Sequence, residues 1–286
     1  MSMMTIDRKC LVCEESLAGR HPAAKYCTLK CKNSKQFWGT YCEVCFGEIV
    51  VNPSTKKTKF CSWDCRFLSE NPLYKRDYFS TPNLENCYWA GFIAADGCVH
   101  EAKKGKPQLL VGLAAKDAQH VENLRAAIGA GNISYATQHV KGYDKAYPQV
   151  RYQLRSNEIC YDLARVFNIT PRKTKTLTPP DLSGDLAYAY IAGYIDGDGS
   201  YTHSRHNPRL VITGTQSMML WIDSFFGGRK EPRMHNGVYA IYYNGPDAIG
   251  VEDSFRNLPL PFLDRKKGLW SRMDGLRNYK SESIKE

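Results

Sequence analysis

Between residues 83 and 255 the hydrophobic pattern changes period in a fixed order, and then does so again. The run from about Leu84 to about Asp96 contains an apolar stretch with small residues and predicts a helix, capped by Asn83 with Glu85 in its first turn. Gln108 to Ala114 is strand-like. From Asp117 to Ile128, Val121, Leu124 and Ile128 recur at helical spacing, and Gly129-Ala130-Gly131 ends that element. Two strands are predicted next, Asn132 to Val140 and Gln149 to Arg155, with Lys141-Gly142-Tyr143-Asp144-Lys145 as their turn. A helix from Asn157 to Phe167 and the segment Pro171-Arg172-Lys173-Thr174 complete the first pass. The second pass begins with a helix from about Asp185. It continues with a strand (Arg209 to Thr213), a helix (Met218 to Phe226) closed by Gly227-Gly228, an alternating strand (Tyr239 to Tyr243), a short helix (Asp247 to Phe255) and Asp264-Arg265-Lys266-Lys267.

Landmarks in the two passes coincide: Asp96 with Asp198 at an offset of 102, Pro107 with Pro208 at 101, Gly129 with Gly227 at 98, and Lys173 with Lys266 at 93. The chain therefore contains an internal repeat whose second copy has shorter loops. Each copy opens on a similar apolar stretch. The first reads Tyr88-Trp89-Ala90-Gly91-Phe92-Ile93-Ala94-Ala95-Asp96-Gly97, and the second Tyr190-Ile191-Ala192-Gly193-Tyr194-Ile195-Asp196-Gly197-Asp198-Gly199. On a helix, Gly91 and Ala95 share one face, as do Gly193 and Gly197, so two such faces can approach until their backbones nearly touch. The pair would deliver Asp96 and Asp198 to one end. Two adjacent carboxylates repel unless a cation lies between them, and a divalent metal is the usual answer. Gly97 and Gly199 are expected to stop the helices in the left-handed conformation.

These two stretches resemble the motifs of the LAGLIDADG homing endonucleases in their single-chain, two-motif form. The resemblance covers roughly residues 83 to 273. It implies an α/β (α+β) fold of two pseudo-symmetric half-domains, whose antiparallel sheets form a saddle on the DNA major groove. The acidic residue before each final Gly is the family's metal ligand, which carries over to Asp96 and Asp198. The first motif departs by having Ala94 where the second has Asp196, a position that is not the ligand and for which a polar structural role is expected. A lysine of each half approaches the active centre in that family, which implicates Lys173 and Lys266 as catalytic. The implied reaction is a Mg²⁺- or Mn²⁺-dependent double-strand break leaving four-base 3′ overhangs in a target of roughly twenty or more base pairs. Base-reading candidates on the strands are Tyr135, Gln138, Arg151, Gln153, Arg155, Arg209, Arg233 and Tyr242, with Gln216 a weaker one; strand register decides which of them face outward. Two motifs in one chain imply a monomer.

Outside the repeat, eight of the 11 cysteines precede residue 66. Cys10-x2-Cys13 and Cys27-x3-Cys31 form one set, Cys42-x2-Cys45 and Cys61-x3-Cys65 a second, and each second pair follows an aromatic (Tyr26, Phe60). Such spacing suits two tetrahedral Zn²⁺ sites, with four cysteines of one set on each ion or with ligands interleaved between the two sites, and in modules this short the metal would supply much of the folding energy. A reducing compartment follows. Lys25, Lys30, Lys32, Lys35, Lys56, Lys57 and Lys59 around these modules could lie along phosphates or form a solvated surface. Cys87, Cys98 and Cys160 are expected to be buried thiols, Trp89 a packing residue, and His203 and His206 loop residues without a ligand partner. The expected division is a zinc-binding region (1–67), a linker (68–82), half-domains at 83–183 and 184–274, and a tail (275–286).

A formal net charge of +10, from 39 basic and 29 acidic residues, favours a polyanionic partner. No run of eighteen apolar residues exists and no apolar leader opens the chain, so neither a membrane span nor a signal peptide is expected. That favours the cytoplasm of a bacterial or phage-infected cell, with an organellar setting still open. A group I intron RNA maturase on the same scaffold, or a DNA-binding regulator without catalysis, is the alternative; intact Asp96 and Asp198 favour the nuclease. An intein is not expected, because no nucleophilic Cys or Ser opens the chain and it closes on Ile284-Lys285-Glu286.

Overall fold

The computed structural model describes residues 8–33, 38–51, 59–102, 104–139, 146–204, 207–235 and 237–267. It divides into two compact units, Met1–Pro72 and Leu73–Glu286. Lys35, Lys56, Lys57, Val140, the predicted turn at 141–145, His206 and the tail at 275–286 lie outside the described residues.

The first unit holds two cysteine modules built alike. The first ends in the short helix α1 (Leu29–Asn33). The second has an antiparallel hairpin, β1 (Trp38–Tyr41) with β2 (Glu48–Val51), and ends in α2 (Trp63–Glu70). Thr28 and Ser62 begin the two helices in the same way, each hydroxyl accepting from the N–H three residues on, Cys31 and Cys65, at 3.1 Å. The cores are minimal. One consists of Cys10, Leu17 and Cys27 with Tyr26 and Cys31 against them, the other of Cys42, Ile49 and Cys65 with Val44 and Phe60.

In the second unit two helices, α3 (Leu84–Asp96) and α6 (Gly184–Asp198), lie against one another. Asn83 caps α3 as predicted, in a reciprocal box: its side chain accepts from Asn86 N–H at 3.0 Å, and its own N–H donates to Asn86 Oδ1 at 2.8 Å. Every residue from Asn86 to Ala94 and from Ala189 to Asp196 is buried, which explains runs that are apolar on all sides. The first half continues with β3 (Gly97–His100), β4 (Gln108–Ala114), α4 (Ala118–Ile128), β5 (Asn132–His139), β6 (Ala146–Arg155) and α5 (Asn157–Phe167). The second continues with β7 (Ser200–Ser204), β8 (Asn207–Gly214), α7 (Gln216–Ser224), β9 (Arg233–His235), β10 (Val238–Asn244) and α8 (Pro246–Asp253). The two sheets have the same topology, β3-β4-β6-β5 and β7-β8-β10-β9, with antiparallel neighbours throughout. The repeat read from the landmarks is thus a repeat of architecture.

Residues 73–82, expected to form most of a linker, are tied to the second unit. Lys75 N–H donates to Ile128 O, Tyr74 hydroxyl to Ser156 Oγ, and Asn86 Nδ2 reaches back to Tyr78 O and Thr81 O. Five short strands, β1, β2, β3, β7 and β9, were not foreseen, since three to five residues are too few to show a period. His203 consequently falls on β7 rather than in a loop. Gly97 and Gly199 are not left-handed: with φ/ψ of −87°/169° and −74°/137° they are extended and feed directly into β3 and β7. A side chain is barred there by crowding instead, as a Cβ on Gly97 would lie 2.8 Å from Ile93 Cα.

Between α3 and α6 the approach is reciprocal. A Cβ built on Gly91 would stand 1.9 Å from Tyr190 O and 2.9 Å from Tyr194 N; one on Gly193 would stand 1.9 Å from Tyr88 O and 2.9 Å from Phe92 N. One turn on, a Cβ on Gly197 would meet Ala95 Cβ at 2.3 Å. Here backbone, not a flexible side chain, would have to give way. Alanine gains ~1 kcal/mol over glycine in a helix interior, but overpacking costs ~1–3 kcal/mol or more, so Gly91→Ala and Gly193→Ala should each lower the melting temperature. Gly250 in α8 has nothing within 4 Å of such a Cβ. Gly250→Ala should raise the melting temperature, and calorimetry of the three variants checks the contrast.

Candidate active site and metal centres

Because α3 and α6 meet at Gly91 and Gly193 and run alongside to Ala95 and Gly197, their last residues, Asp96 and Asp198, emerge at the same end of the pair. Both are open to solvent as residues, yet their carboxyls feel the packed helix ends. Burial, reinforced by the like charge of Asp96, pushes Asp198 up to about 6. Asp96 is also raised by burial, against the pull of Lys266, Lys173 and Arg265. Two carboxylates that resist joint ionisation are oxygen donors of the kind a divalent cation requires. The Asp198 side of the helix pair opens on a cleft of about 260 Å³ lined by Lys173, Thr174, Tyr194, Thr213 and Thr215.

Both expected lysines reach this end of the helices, in different ways. Lys173 is buried at the start of a 3₁₀ turn, Lys173–Lys175, where Nζ makes one long hydrogen bond of 3.4 Å to Ala95 O. Burial lowers its pKa, while Asp198, Cys98 and Asp96 draw it back up. Lys266 is buried too, but Nζ donates to Ile195 O and Asp196 O at 2.7 Å, Gly199 O at 2.8 Å and Gly197 O at 3.4 Å. It is the cationic cap of α6, satisfying the carbonyls that a helix C-terminus leaves open. Burial brings its pKa down to about 8. The repeat predicted equivalent lysines; among the described residues one makes a single long hydrogen bond and the other is a helix cap.

Asp196 sits in a buried polar chain. Tyr88 hydroxyl donates to Asp196 Oδ2 at 2.6 Å across the helix pair, Leu263 N–H donates to the same oxygen at 2.8 Å, and His120 Nε2 lies 3.3 Å from the Tyr88 hydroxyl. Burial holds the Asp196 carboxyl up at about 6. In the first motif the matching position is Ala94, and the matching tyrosine, Tyr190, is buried with no hydrogen-bond partner for its hydroxyl. A second cross-link, Arg265 Nε to Asp117 Oδ2 at 3.2 Å, joins the two halves. Tyr88, Asp117 and Arg265 were not singled out from sequence; Arg265 could have been, since Arg172 and Arg265 precede the matched lysines.

On the sheets, register sorts the base-reading candidates. Arg151, Gln153 and Arg155 share one face of the first sheet, opposite the side that buries Val150, Tyr152 and Leu154. Tyr135 pairs with Val150 and so belongs to the other face, despite 65% exposure. Gln138 pairs with Tyr147; its side chain lies outside the described residues. In the second sheet Arg209, Arg233 and Tyr242 share a face, with the Arg209 guanidinium 4.8 Å from the Tyr242 ring centre. Gln216 is on no strand: it is the exposed first residue of α7.

The cysteine modules gather their sulfurs as the spacing predicted. Within Cys10, Cys13, Cys27 and Cys31, and within Cys42, Cys45, Cys61 and Cys65, the ligand atoms lie within 4.8 Å of one another, and none forms a disulfide. Measured separations are 3.3, 3.4 and 3.6 Å in the first set and 3.4 Å twice in the second. A tetrahedral zinc–thiolate site with bonds of ~2.3 Å has edges of about 3.8 Å, so both sets fit such an ion with little movement. The Cys13 N–H holds the Cys10 thiol down to about 6. Burial opposes the Cys42 thiolate, but the N–H groups of Cys45, Cys61 and Val44 outweigh it and bring this thiol to about 6 as well. Of the remaining cysteines, Cys87 and Cys160 are buried and Cys98 is half-buried, while Trp89 is buried in helix packing.

Neither a family model nor a curated protein sequence matches the chain. Solved structures are similar to it at 12–15% identity, among them three at 12–13%. I-SmaMI bound to uncleaved DNA in the presence of calcium ions has a TM-score of 0.46, covering 70% of this chain and 93% of its own. The LAGLIDADG meganuclease I-AabMI bound to uncleaved DNA has 0.46, with 69% and 92% covered. The I-LtrWI LAGLIDADG homing endonuclease bound to target DNA has 0.42, with 71% and 92%. Likeness at this level leaves the motif helices and the residues at their ends as the grounds for a functional reading.

Three outcomes are expected. Tyr88→Phe leaves buried Asp196 one donor short and should cost ~1–3 kcal/mol in chemical denaturation, whereas Tyr190→Phe removes an unpartnered hydroxyl and should be neutral or stabilising. For Asp198 the folded carboxyl holds its proton up to about pH 6 while an ordinary one loses it near 3.8. Stability must therefore fall as pH rises through that window. Without divalent cations, Asp198→Asn should match wild type below about pH 4 and melt at a higher temperature above pH 6, as thermal scans across pH would record. Chelation should open the backbone amides of the cysteine modules to hydrogen exchange while those of α3 and α6 stay protected.

Proposed function

We propose that this protein is a site-specific double-strand DNA endonuclease of the LAGLIDADG kind, with two structural zinc ions in its cysteine modules. The observation that carries the reading is the pair of carboxylates, Asp96 and Asp198, at the abutting ends of two symmetry-related helices with a buried lysine beside them. Asp96 and Asp198 would hold Mg²⁺ or Mn²⁺. A bound divalent cation supplies water activation and charge neutralisation at a phosphodiester. Lys173, whose Nζ makes one long hydrogen bond among the described residues, has donors left for a water or a phosphate oxygen in the adjoining cleft. Lys266 acts on the reaction indirectly, by keeping the end of α6 in place.

Arg151, Gln153 and Arg155 on one sheet, and Arg209, Arg233 and Tyr242 on the other, are the side chains best suited to a duplex, since arginine and glutamine match base edges and phosphates. The target is read as roughly twenty base pairs or more, cut by a monomer to leave four-base 3′ overhangs. A randomised duplex library incubated with Mg²⁺, followed by sequencing of the ends, tests this. Expected are ends that share one long site, lost in Asp198→Asn and reduced at least tenfold in Lys173→Met at unchanged melting temperature. Selective binding with no cutting by folded, metal-loaded protein would sink the nuclease and leave a group I intron RNA or a regulatory target as the ligand.

A further inference from the structure

The two cysteine modules are copies of one backbone design. Cys10 N–H donates to Glu15 O at 2.8 Å, and Cys42 N–H to Gly47 O at 2.9 Å; Glu14 N–H donates to Cys10 O and Phe46 N–H to Cys42 O, both at 3.0 Å. Leu11 N–H donates to Lys25 O and Glu43 N–H to Lys59 O, both at 3.1 Å. Even the left-handed residue after the knuckle recurs, Glu14 at φ 58° and Phe46 at φ 57°. Differences in their surfaces are therefore not demanded by folding.

The surfaces differ sharply in charge. Residues 8–37 carry seven basic and two acidic side chains, residues 42–72 four of each. In the second module Lys59 is paired with Glu43 at 3.1 Å and Arg66 with Glu70 at 2.9 Å. In the first, Arg20, Lys25, Lys30 and Lys32 are exposed, and among the described residues no ion pair reaches them. Arg20, Lys25 and Lys32 line a cleft of about 380 Å³ together with Leu29, which is 74% exposed at the start of α1. The matching residue of the second module, Trp63, is 75% exposed but is followed by Asp64 rather than Lys30.

We propose that the first cysteine module, and not the second, is a duplex-DNA contact surface, with Arg20, Lys25, Lys30 and Lys32 on phosphates and Leu29 against the groove wall. The proposal rests on the nuclease reading for its choice of polyanion. Duplex is favoured over single-stranded RNA by where the aromatics lie. Single strands are held by exposed rings on which bases stack. Among the described residues of the first module the one Phe, Tyr or Trp, Tyr26, is half-buried against the cysteine core, and the exposed imidazole of His21 is tied back by accepting from Ala23 N–H at 3.2 Å. The exposed Tyr, Phe and Trp rings described in this unit, Tyr41, Phe46 and Trp63, belong to the module without excess positive charge.

The test is the salt dependence of binding to a random-sequence 30-base-pair duplex, measured on the full, metal-loaded chain without Mg²⁺. Each phosphate contact contributes ~0.9 to the slope of log K against log salt. Replacing Lys25, Lys30 and Lys32 together by Gln should lower that slope by roughly 2 to 3, with the melting temperature and two bound zinc ions per chain retained. Lys59→Gln with Arg66→Gln should leave it unchanged, and Leu29→Ser should weaken binding at constant slope. An unchanged slope in the triple variant, or an equal loss from the second-module variant, would overturn the assignment and leave the nuclease reading standing. A triple variant that loses single-stranded RNA but not duplex would transfer the surface to RNA. If the wild-type chain binds no duplex at all, the nuclease reading falls with it.

Discussion

Everything in the larger unit depends on a backbone contact between two helices. Gly91 faces the Tyr190 carbonyl and Gly193 faces the Tyr88 carbonyl, each at a separation that leaves no room for a methyl group. Dispersion between atoms at this range is individually small and adds up along the seam. The consequence is positional. Helices held at backbone distance at their middles, with Ala95 against Gly197 one turn later, must present Asp96 and Asp198 side by side. Any larger residue on the seam would spread the helix ends and separate the two carboxyls, so packing and chemistry share one constraint.

Upon this symmetric frame the two halves have diverged. Asp196 occupies a place that Ala94 leaves empty, and among the described residues a buried hydrogen-bonded chain, from His120 through Tyr88 to Asp196 and Leu263 N–H, exists on one side alone. Lys266 spends its donors on four carbonyls of α6, whereas Lys173 makes one long bond to Ala95 O. A cation saturated with carbonyl oxygens stabilises a helix end, while one with open donors is available to a phosphate or a water. Matched positions in the two halves thus make different contacts: Lys266 caps a helix end, and Lys173 does not.

The cysteine modules follow a different logic. With Leu17 or Ile49 as the only buried aliphatic beside their cysteines among the described residues, neither shows enough apolar burial to offset chain entropy. Sulfur clusters of tetrahedral size take over the role of a core, which frees the large apolar residues Leu29, Phe46 and Trp63 to stand in solvent.

How much of this was legible follows from the range of the interactions involved. Local pattern was sufficient for the motif helices, the Asn83 cap, α4, α5 and the longer strands, because a period of 3.6 or 2 survives in any sequence with one buried face. The cysteine sets were readable because their ligand spacing is local. The repeat offsets led to Lys173 and Lys266, and the position before the last motif glycine to Asp96 and Asp198. The sequence by itself thus determined two equivalent halves, two acids and two sulfur sets. What only the tertiary structure decided were the relations between distant residues: which strand residues share a face, with Tyr135 parted from Arg151; which tyrosine finds an acid; and which lysine is consumed as a helix cap. Those depend on strand register and on distances across packed elements, and no residue carries that information in its immediate neighbours.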